Sequence, residues 1–212
     1  MDTINFYKAL RGEKLSSSIG DITFTTHYVG ELILTSGRLV ACDPLAFPDS
    51  EAFQKSLPIG KYPVFLIVAH YPRNNDQRVA YAIIRISEET PISWKLGICS
   101  DEELASLTEN DTLGYPVDSG VGCFMDFDAV KILDDSIYYA YIANPQEESL
   151  IDLIQDELRK NYRPTWKWAN ICIDKSTQLN IIAFSSGYGD GIYPTYFGYD
   201  TEDKIVNIVT EF

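Results

Sequence analysis

The sequence predicts an α+β fold, mainly antiparallel β-sheet arranged as a sandwich or half-open barrel, with a few peripheral helices. Three observations lead there. Short runs rich in β-branched and aromatic residues recur along the chain, separated by turn-forming residues. Neighbouring runs are joined by loops of hairpin length. The helical patterns are few and stand apart, without the strand–helix alternation of a parallel doubly wound sheet. A chain of 212 residues is expected to form one domain, residues 1–212, because that length buries most of its unfolded surface in a single core.

Residues 4–15 carry Ile4, Tyr7, Ala9 and Leu10 and predict a short helix, ended by Gly12 or by the serines that follow. The stretch 22–29 alternates as a strand. Residues 31–42 predict a hairpin turning at Ser36 and Gly37, where glycine supplies a positive φ. Asp43 and Pro44 then stop its second strand, since proline cannot donate to a ladder. A short surface helix is expected over 48–55. The strongest strand patterns are 62–70 and 78–86, joined through 72–76 as antiparallel neighbours; their near-continuous apolar character makes them central. Residues 94–99 add a short strand, and 101–107, acidic at the start, a helix.

Residues 129–133 and 136–142 predict two further strands. A helix follows, with Asn144 as cap, Pro145 at the first position and Glu147 reaching back. Leu150, Ile151, Ile154 and Leu158 form its apolar stripe, Arg159 and Lys160 meet its negative end, and Asn161 with Pro164 terminates it. Residues 166–173 and 179–184 predict strands around a polar loop, and 204–211 a closing strand.

Lys and Arg number 17 against 31 Asp and Glu, a formal net charge of -14. Such a field repels phosphate backbones and anionic membrane surfaces, so nucleic acid and membrane are excluded as partners. A basic protein partner or a small polar ligand fits better. The first residues lack the basic and apolar regions of a signal peptide, and no apolar run reaches membrane-spanning length, so a soluble cytoplasmic protein is expected. Cys42, Cys99, Cys123 and Cys172 are widely spaced, without a C-x-x-C pair. That spacing argues against a zinc site or a disulfide framework, and predicts free buried thiols in a reducing compartment.

Two loops concentrate glycine, aspartate and aromatic residues. The first offers Asp118, Ser119, Gly120, Gly122, Cys123 and Asp126; the second offers Ser186, Gly187, Gly189, Asp190 and Tyr193. The plain reading is turn chemistry. The functional reading is a cleft in which glycine-freed N–H groups form a nest for an anion or carbonyl, Asp190 grips a hydroxyl, and Arg78 supplies a counter-charge. Tyr188, Tyr193, Tyr196, Phe197 and Tyr199 could stack on a ligand or anchor a partner, although their spacing also suits sheet packing. Arg38 and Arg78 are expected to pair with acids, Asp43 among them.

Asp118, Asp126 and Asp190 could in principle hold a hard cation, but the EF-hand glycine and glutamate are missing, so no metal site is assigned. Cys123 as a nucleophile would need a histidine, and His27 and His70 both lie in strand patterns typical of packed residues. There is no G-x-S-x-G elbow, Walker loop or dinucleotide fingerprint. The cofactor, if there is one, stays unassigned by the sequence.

Several segments resemble, in order, a bacterial family known as domain-of-unknown-function family 4241. They are Gly30-Glu31-Leu32, Ser36 to Pro44, Pro58-x-Gly60-x-Tyr62-Pro63-Val64, Arg78 to Ala82, Tyr115 to Asp126, and Ser186 to Gly191. The similarity spans nearly the whole chain. It departs at Thr201, Glu202 and Asp203, where a glycine would be expected in the turn. The resemblance supplies a family and assigns no residue a role.

Two functional hypotheses follow. The first is a small-molecule cleft between the two loops, hydrolytic if it is an enzyme. The second is a non-enzymatic binding module, such as an immunity-type partner of a basic bacterial toxin. Convergence of both loops on one polar pocket would favour the first; packed loops beside an exposed aromatic patch would favour the second.

Overall fold

The computed structural model describes residues 3–18, 20–100, 113–140 and 148–212. Its first half contains α1 (Thr3–Leu10), β1 (Leu15–Ser17), β2 (Gly20–Leu34), β3 (Leu39–Cys42), β4 (Gly60–Tyr71), β5 (Asp76–Arg85) and β6 (Ser93–Leu96). Next come β7 (Tyr115–Val117), β8 (Val121–Asp126), α2 (Phe127–Tyr138) and α3 (Leu150–Lys160). The chain finishes with β9 (Trp168–Asp174), β10 (Leu179–Ser185), β11 (Gly191–Tyr193), β12 (Thr195–Tyr199) and β13 (Ile205–Glu211).

The apolar strands β4 and β5 pair antiparallel and sit centrally in a seven-stranded sheet of order β1-β2-β4-β5-β13-β12-β6. A second sheet has the order β3-β8-β10-β9, and β7 with β11 forms a short ribbon. The larger sheet curls as a half-barrel, and the class is α+β on antiparallel sheet, as expected.

Three apolar clusters define the layers. Leu32, Leu66, Ile84, Phe124, Phe184 and Phe197 fill the space between the sheets. Phe6 and Ala9 of α1 cover the outer face of the larger sheet at Ile67, Tyr81, Ile83 and Val209. Ala129 and Leu133 of α2, with Ile154 and Leu158 of α3, cover the smaller sheet at Val121, Cys123, Met125 and Ile181. Burying Ile154 and Leu158 this way contributes about 1.5–3 kcal/mol each. No helix among the described residues is long and apolar enough to cross a membrane.

The long strand β2 changes character part-way. Its register against β4 slips between Tyr28 and Gly30. Before the slip Phe24 packs toward α1, which leaves Thr23, Thr25 and His27 on the opposite, concave face. After it, the even residues Leu32 and Leu34 enter the core. Gly30 has φ +127°, and a Cβ there would lie 2.1 Å from Asn170 Nδ2. That close approach lets the smaller sheet bond to the bulged strand. Asn170 Nδ2 donates to Val29 O, Asn180 Nδ2 donates to Glu31 O at 2.8 Å, and Ile33 N donates to Asn180 Oδ1 at 2.9 Å.

Several expected elements are corrected. The 31–42 hairpin does not exist, because β2 pairs with β4 and β3 pairs with β8. Residues 35–38 instead carry the chain from one sheet to the other. Gly37, at φ +74°, is required because a side chain would strike the Leu57 carbonyl at 2.3 Å. The 48–55 segment is not helical; Phe53 N and Gln54 N donate to Leu39 O and Ile98 O, anchoring an extended loop whose Phe53 enters the core. Residues 129–133 and 136–138 are helix, not strand: Asp126 caps α2 by accepting from Asp128 N at 2.9 Å. Their β-branched and aromatic composition masked that cap. The helix α3 begins at Leu150, where Ser149 and Asp152 form the capping box. Asn144, Pro145 and Glu147, like residues 101–107, lie outside the described residues.

Candidate functional site

The ribbon β7–β11 brings the two glycine loops together. Val117 faces Gly191 and Tyr115 faces Tyr193, while Ser186 N donates to Gly120 O at 3.2 Å. The main chain of both loops is then engaged from within. Asp118 N and Ser119 N both donate to Asp43 Oδ2, at 3.0 and 2.8 Å. Leu45 N, Ala46 N and Ser119 Oγ complete the shell at Oδ1, at 2.9, 3.1 and 2.7 Å. The backbone nest therefore exists, and its anion is the chain's own buried Asp43. Arg38 does not pair with Asp43; its guanidinium lies 3.7 Å from the centre of the Phe127 ring.

The second loop is closed similarly. Gly189 N donates to Ser186 O at 2.8 Å, and Ser186 Oγ donates to Gly189 O at 2.8 Å. Tyr193 Oη reaches the carbonyls of both Ser186 and Gly189. Arg78 pairs with Asp76 at 2.9 Å, donates to Gly187 O at 3.4 Å, and lies 5.0 Å from the centre of the Tyr188 ring. Beside it stands Tyr71, whose phenol is pushed upward by burial and then by Tyr188.

The remaining expected site residues separate. Gly122 and Cys123 are buried in β8, where the Cys123 thiol lies 3.6 Å from that of Cys42 and burial raises its pKa well above the ordinary value. Its surroundings are those of a small core side chain, and neither histidine lies among the contacts of its thiol. Of the four free cysteines, Cys42 and Cys123 are buried, but Cys172 is exposed and Cys99 half-buried. Asp126 is wholly buried as the α2 cap and also accepts from Ser36 N and Oγ, so it turns away from Asp118 and Asp190. The Asp118 and Asp190 side chains are exposed at the loop tips. None of the expected residues lines the most enclosed hollow nearby, a cavity of about 260 Å³ walled by Phe53, Tyr115, Pro116, Cys99, Glu51 and Thr195.

A second polar constellation lies on the concave face of β2 and β4. Thr25 Oγ1 is 2.9 Å from His27 Nε2 and 2.7 Å from His70 Nε2. Burial, then the charges of His70 and Arg163, lowers the pKa of His27; burial lowers that of His70. The His27 ring packs 4.8 Å from that of Trp166, whose Nε1 donates to Gln77 Oε1 at 3.1 Å. Gln77 is the strand partner of His70. Gln77 N donates to Thr165 Oγ1 at 2.9 Å, and Thr165 Oγ1 in turn bonds Gln77 O. Thr165 sits at φ +71°, a conformation that costs a β-branched residue about 1–3 kcal/mol. The sequence did not reveal this group, because its members meet only through the register of β2, β4 and β5. The signal available was that both histidines of the chain lie in strand patterns.

No curated protein and no solved structure matches the chain. The pattern of the family described as "Protein of unknown function (DUF4241)" matches residues 32–210, from the core end of β2 through most of β13. The chain belongs to that family.

Proposed function

We propose that this chain is a binding module that engages a basic protein partner through the outward face of the loop-and-ribbon region. The observation that carries the reading is the internal use of the loops' main-chain groups, which leaves side chains to face outward. Tyr188 is 69% and Ile192 52% exposed; Ile192 stands beside exposed Pro116, and Asp118 and Asp190 flank them. Exposed apolar side chains interspersed with acids suit a protein contact, the Arg78 charge beside Tyr188 being paired with Asp76, and the net charge of -14 speeds encounter with a cationic partner. Neutralisation of a basic toxin is a role this surface suits. The test is affinity capture from extracts of the cells that make the protein. A basic polypeptide retained by the wild type should be lost by a Tyr188→Ala/Ile192→Ser variant of unchanged melting temperature. Retention of the same partner by that variant would refute the assignment.

A second reading places a small polar ligand in the 260 Å³ cavity, where apolar walls meet Glu51, Cys99 and Thr195. Fragment binding monitored by NMR would separate the two. Shifts confined to Phe53, Cys99 and Tyr115 favour the cavity.

A further inference from the structure

The histidine face is independent of that surface and has chemistry of its own. One hydroxyl carries one proton, so Thr25 can donate to only one of the two imidazoles and must accept from the other. Both Nε2 atoms are thus aimed at a single point on a half-buried, solvent-reachable face. Each ring is held from behind: His27 by Trp166, and His70 through the pairing of its strand with Gln77, which Thr165 clamps. Open hollows border the group on two sides, one lined by Thr23, His70 and Tyr71, the other by Tyr162, Thr165 and Trp166.

We propose that His27 and His70 form a two-imidazole site for a divalent transition ion of the zinc, nickel or copper class, centred beside the Thr25 hydroxyl. Imidazole nitrogen selects such borderline ions over magnesium and calcium, which prefer oxygen. An ion about 2.0–2.1 Å from each nitrogen replaces both hydrogen bonds to Thr25, the ring that had donated moving its proton from Nε2 to Nδ1, and water completes the coordination. Among the described residues no third histidine, cysteine or carboxylate joins the pair, so the site is an open one. The lowered pKa of both rings keeps them neutral, the form that binds metal, near pH 7. The negative chain draws cations toward it, whereas Arg163, whose charge acts on His27, opposes them.

The test uses copper(II) on the full chain carrying Cys99→Ser and Cys172→Ser, which removes the accessible thiols. One ion per chain should bind saturably, with electron paramagnetic resonance showing superhyperfine splitting from two nitrogens. His27→Gln or His70→Gln should each weaken binding at least about tenfold. Arg163→Gln should strengthen it severalfold, and excess magnesium should not compete. An oxygen-only copper spectrum overturns the proposal, as does affinity unchanged by both histidine substitutions. Because the spectrum is read on the unsubstituted histidines, a variant that misfolds does not blur the answer.

Discussion

The loop end of the molecule and its histidine face distribute polar valence differently. At the loop end Asp43 is fully buried and accepts five hydrogen bonds, three from Asp118 and Ser119. Asp126, equally buried, ties Ser36 to the start of α2. On the histidine face a single hydroxyl serves two half-buried rings. A carboxylate surrounded by N–H and O–H donors has little capacity left for a ligand, so Asp43 and Asp126 serve the architecture, while exposed Asp118 and Asp190 do not share that role. Two imidazoles joined through one hydroxyl can exchange those hydrogen bonds for a ligand by a shift of tautomer, and that is where chemistry can enter.

The contrast can be broken in four ways, from the largest effect to the smallest. Asp43→Ala orphans four backbone N–H groups and should lower unfolding free energy by about 3 kcal/mol or more, read from urea denaturation. A loss under about 1 kcal/mol would mean that water takes over the carboxylate's role. Asp126→Ala removes a helix cap and the Ser36 tie, for an expected loss of about 2 kcal/mol with reduced far-UV helical signal.

The third effect is shallower and depends on pH. Both histidines titrate below their ordinary value of 6.5 when folded. Between those folded values and 6.5 the unfolded chain therefore binds more protons, so stability is full above about pH 6.5 and declines as pH falls. Melting curves from pH 7.5 to 5 should flatten in a His27→Gln/His70→Gln variant; an unchanged slope would assign the pH dependence to carboxylates. Last, Asp118→Ala and Asp190→Ala should each shift stability by no more than about 0.5 kcal/mol, because their side chains are exposed. A large loss at Asp190 would make it turn chemistry.

The class and central strands were legible in the sequence because their signals are local: the β4–β5 pair, the α3 stripe and the β9–β10 hairpin each declare themselves within a short window. Most of what failed was non-local, the start of α2 being the local exception. The exchange of sheets after Leu34 mimics a hairpin in Ser36 and Gly37, and only the pairing of β3 with β8 distinguishes the two. Asp126 was weighed as a ligand when its place before Phe127 and Asp128 marked a helix start, so one misjudged residue also cost α2. The meeting of the two glycine loops was anticipated. The acid that fills the nest, Asp43, lies 75 residues upstream of Asp118 and could not be inferred from spacing. The histidine pair depends on strand register, which composition does not encode.

The surplus residue near Gly30 has an evolutionary corollary. Beyond it no slack remains: deleting Glu31 would turn Leu32 and Leu34 to water and bring Ile33 indoors, so the sealing half of that strand resists insertion and deletion. The half bearing Thr25 and His27 has no such seal to protect. Thr25, exposed on that half, can vary at less risk to folding than Phe24 or Val29 beside it, which leaves this face freer to acquire new specificities on an unchanging frame.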